Sequence, residues 1–97
     1  MSYEQAYDTT KSQAEQALLT VKVFSEFKTY FEGKAVSVTS KNPTGPFDIL
    51  PGHANFITLL NEGNLKISRP NGEQFQTPIE RGVMHVNSDF VTVFLGV

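Results

Sequence analysis

The sequence has two histidines, His53 and His85, and either could serve a Ser–His–Asp arrangement. Ser and Asp residues are plentiful, but no G-x-S-x-G elbow or other recognisable setting selects a nucleophile. His85 alternates with apolar residues in Val83-Met84-His85-Val86, so it reads as a strand residue facing solvent or a rim. His53 follows Pro51-Gly52 and reads as a turn histidine bonded to nearby backbone. Zinc takes three or four ligands at spacings such as H-x-x-x-H or H-E-x-x-H, and neither spacing occurs. The carboxylates are scattered singly, with no D-x-D-x-D-G loop for calcium. Asp48 stands out because it lies between Phe47 and Ile49: it either caps the turn before Pro51 or faces outward on a strand. Neither a P-loop nor G-x-G-x-x-G is present to cradle phosphate. No catalytic residue, no metal site and no cofactor is therefore expected, and a hydrolase built on His53 or His85 has no motif behind it.

Composition narrows the partners. The 97 residues allow one small domain. Eight Lys and Arg stand against ten Asp and Glu, so no basic excess exists to neutralise a phosphate backbone, and nucleic acid is not expected as a partner. The absence of cysteine excludes disulfides, thiolate nucleophiles and Cys-based metal sites. No apolar stretch approaches the roughly 20 residues of a membrane helix, and the start MSYEQAYDTT lacks the basic and apolar regions of a signal peptide. The net charge of −2 resides in the first 20 residues, while residues 21–97 hold seven acidic and seven basic side chains. Gly and Pro first appear at Gly33. These shifts set an N-terminal tail, residues 1–19, apart from a body, residues 20–97.

The tail carries a capping-box pattern from Ser12 to Glu15 followed by good helix formers, which fits either a short helix or an arm without regular structure. The body changes period. Val21 and Val23, Val36 and Val38, Leu65 and Ile67, and the FVTVFL run from Phe90 to Leu95 alternate as strands do. Turn residues punctuate them at Glu32-Gly33, residues 42–46, Pro51-Gly52, Glu62-Gly63, residues 70–72 and residues 87–89. Asn71-Gly72 between residues 65–69 and 73–77 is the clearest hairpin, with both turn residues suited to positive φ. Short strands at such spacing predict an all-β antiparallel sandwich or barrel, and the lack of αβ alternation argues against a parallel sheet. The predicted interior is Val21, Val23, Val36, Val38, Ile49, Leu59, Leu65, Ile67, Val91 and Val93, and the eight Phe residues are expected to be mainly core.

One segment says more. Gly45-Pro46-Phe47-Asp48-Ile49-Leu50-Pro51-Gly52-His53-Ala54 resembles the G-x-F-G-I-L-P-G-H-A signature of the epsilon subunit of F-type ATP synthases. Phe31-Glu32-Gly33-Lys34-Ala35 looks like the family's V-F-x-G-x-A. Thr58-Leu59-Leu60 with Gly63-Asn64-Leu65-Lys66-Ile67 looks like T-x-L-x-x-G-x-L-x-I. Gly82-Val83-Met84-His85-Val86 with Val91-Thr92-Val93 looks like G-x-x-E-V-x-x-x-x-V-T-V. The resemblance runs in order over residues 20–95.

The resemblance implies a flattened β-sandwich acting as a non-catalytic rotor subunit, which couples the membrane c-ring to the gamma subunit during proton- or sodium-driven ATP synthesis. It implies a peripheral place at the cytoplasmic face of the membrane in a bacterium. It further implies that one sheet face meets gamma, and that a ring-facing end carries Lys41, Asn42, Pro43, Thr44, Gly45, Pro46 and Phe47 together with His53, Ala54 and Asn55. Pro51 and Gly52 form the structural turn there, with Gly52 at the positive-φ position of a type II turn and His53 opening the next strand. Asp48 stands for a usual Gly, Pro46 where an acid is common, and Ser25-Glu26-Phe27 where the family has Thr-Pro. The family's C-terminal helical hairpin has no counterpart before Val97, so neither its ATP binding nor its inhibitory extension is expected. The alternative is a free-standing adaptor that kept the fold and took another protein partner.

Overall fold

The period-two segments become strands whose side chains alternate between a shared interior and solvent. The computed structural model describes residues 18–96. Its elements are β1 (Leu19–Phe24), β2 (Thr29–Ala35), β3 (Ser37–Asn42), β4 (Gly45–Ile49), β5 (Phe56–Leu60), β6 (Gly63–Ser68), β7 (Gln74–Ile79), β8 (Gly82–Asn87) and β9 (Phe90–Leu95). They form a five-stranded sheet in the order β2-β1-β9-β8-β5 and a four-stranded sheet in the order β4-β3-β6-β7. The all-β sandwich is as expected. The segment from Ser12, read as either a short helix or an arm, lies outside the described residues, while Leu19, assigned to the tail, opens β1 and is fully buried.

One pairing departs from the antiparallel expectation. β1 runs parallel to β9, with Val21 beside Val91 and Val23 beside Val93. A parallel pair cannot be closed by a tight turn. Here nearly the whole domain is the connection, so the first and last strands meet inside one sheet.

The interior is built by interdigitating the inward rows of both sheets. Leu19, Val21, Val23, Met84, Val86, Val91 and Val93 come from one sheet, and Val38, Ile49, Leu65, Ile67 and Ile79 from the other. Eight of the ten predicted interior residues are there. Val36 and Leu59 are not, being 38% and 62% exposed. Val36 is the corner at which the chain leaves the five-stranded sheet for the other, with its N–H donating to the Ser68 carbonyl at 2.8 Å. Alternation breaks at such a corner, so the small Ala35 goes inside and Val36 outside. In β5, Leu60 takes the buried place, and the adjacent leucine must then point outward.

Turn chemistry behaves as its residues require, with one correction. The β6–β7 hairpin has a three-residue loop. Gly72 N–H donates to the Arg69 carbonyl at 3.0 Å, and Arg69 N–H donates to the Glu73 carbonyl at 2.8 Å. Gly72 alone has positive φ, at 91°, so Asn71 does not share the left-handed conformation expected of both. This is a type I turn followed by a one-residue bulge. β7 continues through Pro78 because it is an edge strand, where a missing N–H leaves no ladder bond unmade. Pro46 sits on β4, the opposite edge of the same sheet, on the same terms.

Two substitutions test this packing in opposite directions. A Cβ on Gly82 would lie 2.7 Å from the Phe94 carbonyl oxygen and 3.1 Å from Leu95 Cδ2. Gly82→Ala is expected to cost about 1–3 kcal/mol in urea unfolding. Ser40 is buried in β3, and its hydroxyl has no hydrogen-bond partner among the described residues. Ser40→Ala is expected to hold or raise stability, by up to about 1 kcal/mol, because no bond is lost with the hydroxyl.

Candidate interaction surface

The residues expected to form the ring-facing end fall on the β3–β4 hairpin and on the loop after β4. Lys41 and Asn42 end β3, Pro43 and Thr44 make the turn, and Gly45, Pro46 and Phe47 begin β4. The Asn42 side-chain oxygen accepts bonds from Thr44 N–H at 3.0 Å and Thr44 Oγ1 at 2.7 Å, which closes the turn. The Lys41 carbonyl accepts from Asn61 N–H, setting this hairpin beside the β5–β6 turn. His53, Ala54 and Asn55 follow β4. The Phe56 ring meets both groups, lying 5.9 Å from the Phe47 ring and 5.4 Å from the His53 ring.

The loop after β4 is tied down from a distance. His53 N–H donates to the Leu50 carbonyl at 3.1 Å around Pro51 and Gly52, and Gly52 has φ 86°, as a type II turn requires. Gly52 N–H donates to Asp89 Oδ1 at 2.8 Å, and Ser88 N–H donates to Asn55 Oδ1 at 3.1 Å. These two bonds join the loop to the β8–β9 turn. Ser88 and Asp89 have φ 50° and 67°, the pattern of a two-residue type I′ hairpin. Asp tolerates that conformation, and its carboxylate is then aimed at the loop amide. His53 does not start a strand, since β5 begins at Phe56. Its Nδ1 lies 2.7 Å from the Ala54 carbonyl oxygen, and its ring packs edge-on to Phe56, as a turn histidine bonded to backbone should. Asp48 takes the outward alternative and accepts a bond from Thr39 Oγ1 at 2.6 Å. His85 is exposed on β8, again as expected.

The two outer faces differ in chemistry. Across the four-stranded sheet, Asp48, Thr39, Lys66 and Gln76 are lateral neighbours, and the row is polar throughout. Across the five-stranded sheet, Leu59, Val83, Phe94 and Phe24 form an apolar row. The Phe24 and Phe94 rings lie 5.2 Å apart. Ile57, 67% exposed and two residues before Leu59 on β5, extends the apolar patch. An apolar sheet face is expected for the gamma contact, but not these residues, because aromatics are expected mainly in the interior. Phase was the available signal: Phe24 and Phe94 each directly follow a buried valine and so must point to the other side. Below the row, Phe27, Tyr30, Pro78, Ile79, Arg81 and Phe94 line an open cleft of about 500 Å³.

Residues 18–96 match the family model described as ATP synthase, Delta/Epsilon chain, beta-sandwich domain. The chain belongs to this family. It is 38% identical over 63 residues to an ATP synthase epsilon chain of Stenotrophomonas maltophilia, covering 65% of this chain and 45% of that one. It is 36% identical over 77 residues to an ATP synthase epsilon chain of Prochlorococcus marinus, covering 79% of this chain and 56% of the relative. The chain thus spans about half the length of these relatives. The same fold occurs in a chain of the Euglena gracilis mitochondrial ATP synthase, with TM-score 0.76, 21% identity, and 81% and 51% of the two chains covered. It occurs again in the Tetrahymena thermophila mitochondrial ATP synthase central stalk and c-ring structure, with TM-score 0.69, 17% identity, and 81% and 63% covered.

The distant tie at Asp89 can be measured. Asp89→Ala should cost about 1 kcal/mol and speed amide exchange at Gly52. Asp89→Asn, which keeps an acceptor oxygen, should retain most of the protection. Equal exchange in all three proteins would show that the carboxylate does not hold the loop.

Proposed function

We propose that the chain is a non-catalytic central-stalk subunit of an F-type ATP synthase, coupling the c-ring to the gamma subunit during ion-driven ATP synthesis. The observation that carries the reading is an unbroken apolar row on one face of a sandwich that matches the delta/epsilon family along its described length. Gamma docks on the outer face of the five-stranded sheet, where Leu59, Val83, Phe94 and Phe24 offer apolar area without a ladder of charge. The polar face of the other sheet stays in water. The β4 edge faces the ring, carrying residues 41–47 and 53–55. Coupling of this kind needs a rigid body and no reacting group, and the chain works peripherally, at the cytoplasmic face in a bacterium. Among the described residues, no helix is long and apolar enough to cross a membrane.

Capture on immobilised cognate gamma tests this directly. Ile57→Asp and Leu59→Asp lie on exposed positions and should leave unfolding within about 0.5 kcal/mol of the parent. Each should weaken capture about tenfold or more by placing a carboxylate in the contact. Gln76→Asp on the opposite sheet should leave capture unchanged. Failure of the parent chain to bind gamma at low and moderate salt would sink the stalk reading.

A further inference from the structure

β2 is one of the two edge strands of its sheet, β5 being the other. β1 occupies one side of its backbone ladder, and no strand among the described residues occupies the other. The two edges of the four-stranded sheet each carry a proline, Pro46 and Pro78, whereas β2 has none. Its pairing with β1 is regular from Phe31 to Ala35, and the only register shift falls beyond Phe31, towards the hairpin. An edge of this kind is a template for another strand.

The side chains specify which strand. Glu32 and Lys34 point to solvent from the outer face of the sheet. Place a second copy antiparallel, with Gly33 opposite Gly33. Glu32 then faces Lys34 of the other copy, and Lys34 faces its Glu32. Both opposite-charge pairs match at once. Centring the pair on residue 32 or 34 sets like charges face to face, which is unfavourable. Gly33 places no side chain on the two-fold axis. The neighbouring strand extends the match, because Lys22 of β1 stands beside Glu32 and Thr20 beside Lys34. Lys34 Nζ already donates to Thr20 Oγ1 at 2.8 Å, which holds its charge over the sheet surface.

We propose that β2 pairs antiparallel with β2 of a second copy of this chain, with Gly33 on the two-fold axis and two symmetric Glu32–Lys34 ion pairs across the junction. The contact is isologous, so it closes at two copies and does not propagate. It uses the sheet edge and leaves the apolar outer face open, so it stands apart from the stalk reading.

Sedimentation equilibrium of the whole chain over a concentration series tests it. The parent should show reversible monomer–dimer exchange that weakens as salt screens the charges. Glu32→Lys and Lys34→Glu should each weaken dimerisation about tenfold, since each turns both ion pairs into repulsions. The double variant should recover the parent affinity, and an equimolar mixture of the two single variants should form the heterodimer. In the parent, amide exchange along residues 31–35 should slow as concentration rises. A parent that stays monomeric throughout would overturn the proposal. So would single variants that associate like the parent, or association that leaves exchange in β2 untouched.

Discussion

The parallel contact between β1 and β9 is the constraint on which the rest of the sandwich depends. It places Val21 against Val91 and Val23 against Val93, all buried, near the middle of the five-stranded sheet. Without it, that sheet would fall into a β1–β2 hairpin and a separate group of β9, β8 and β5. A fully buried valine contributes on the order of 1.5–3 kcal/mol, so the four together are a large part of the stability of a domain this small. The contact also fixes phase. A slip of one residue would turn the valines to solvent and the phenylalanines inward, so pairing register and face chemistry are one decision.

That decision creates the asymmetry between the two surfaces. With the valines inside, Phe24 and Phe94 must meet on the outer face, where Val83 and Leu59 continue their row. The other sheet buries Val38, Ile49, Leu65 and Ile67 by the same alternation and leaves Thr39, Asp48 and Lys66 outside. One face is therefore suited to contact with protein and the other to water. A rigid body with one adhesive face and one wet face can transmit force between two partners without chemistry of its own.

The loops obey a second kind of constraint. Pro51 and Gly52 make their turn locally, but the turn is held in place by Asp89, thirty-seven residues away in sequence. That carboxylate reaches it because the β8–β9 hairpin adopts positive φ at both turn residues. The family signature around His53 is thus held by two backbone-to-side-chain bonds from another hairpin. Its own histidine spends its ring contacts on the Ala54 carbonyl and Phe56. This arrangement shapes a surface and assembles no reacting groups.

Local chemistry decided much in advance. Alternation marked the strands, Gly52 and Gly72 marked their turns, and the segment from Gly45 to Ala54 marked the family. His53, His85 and Asp48 took places allowed for them from their neighbours alone. What only the tertiary structure decided is everything that depends on which strand lies beside which. The parallel β1–β9 pair brings together residues about seventy positions apart, and no local pattern encodes such a meeting. Val36 could be recognised as a corner only once β2 and β3 were known to belong to different sheets. Leu59 and Leu60 are equally apolar, and only the pairing of β5 with β8 chooses which one is buried. Phe47 and His53 both meet the Phe56 ring, a contact between residues of different segments that no local pattern encodes. Periodicity is a property of each strand by itself, whereas phase, neighbour and face belong to the assembled sheets.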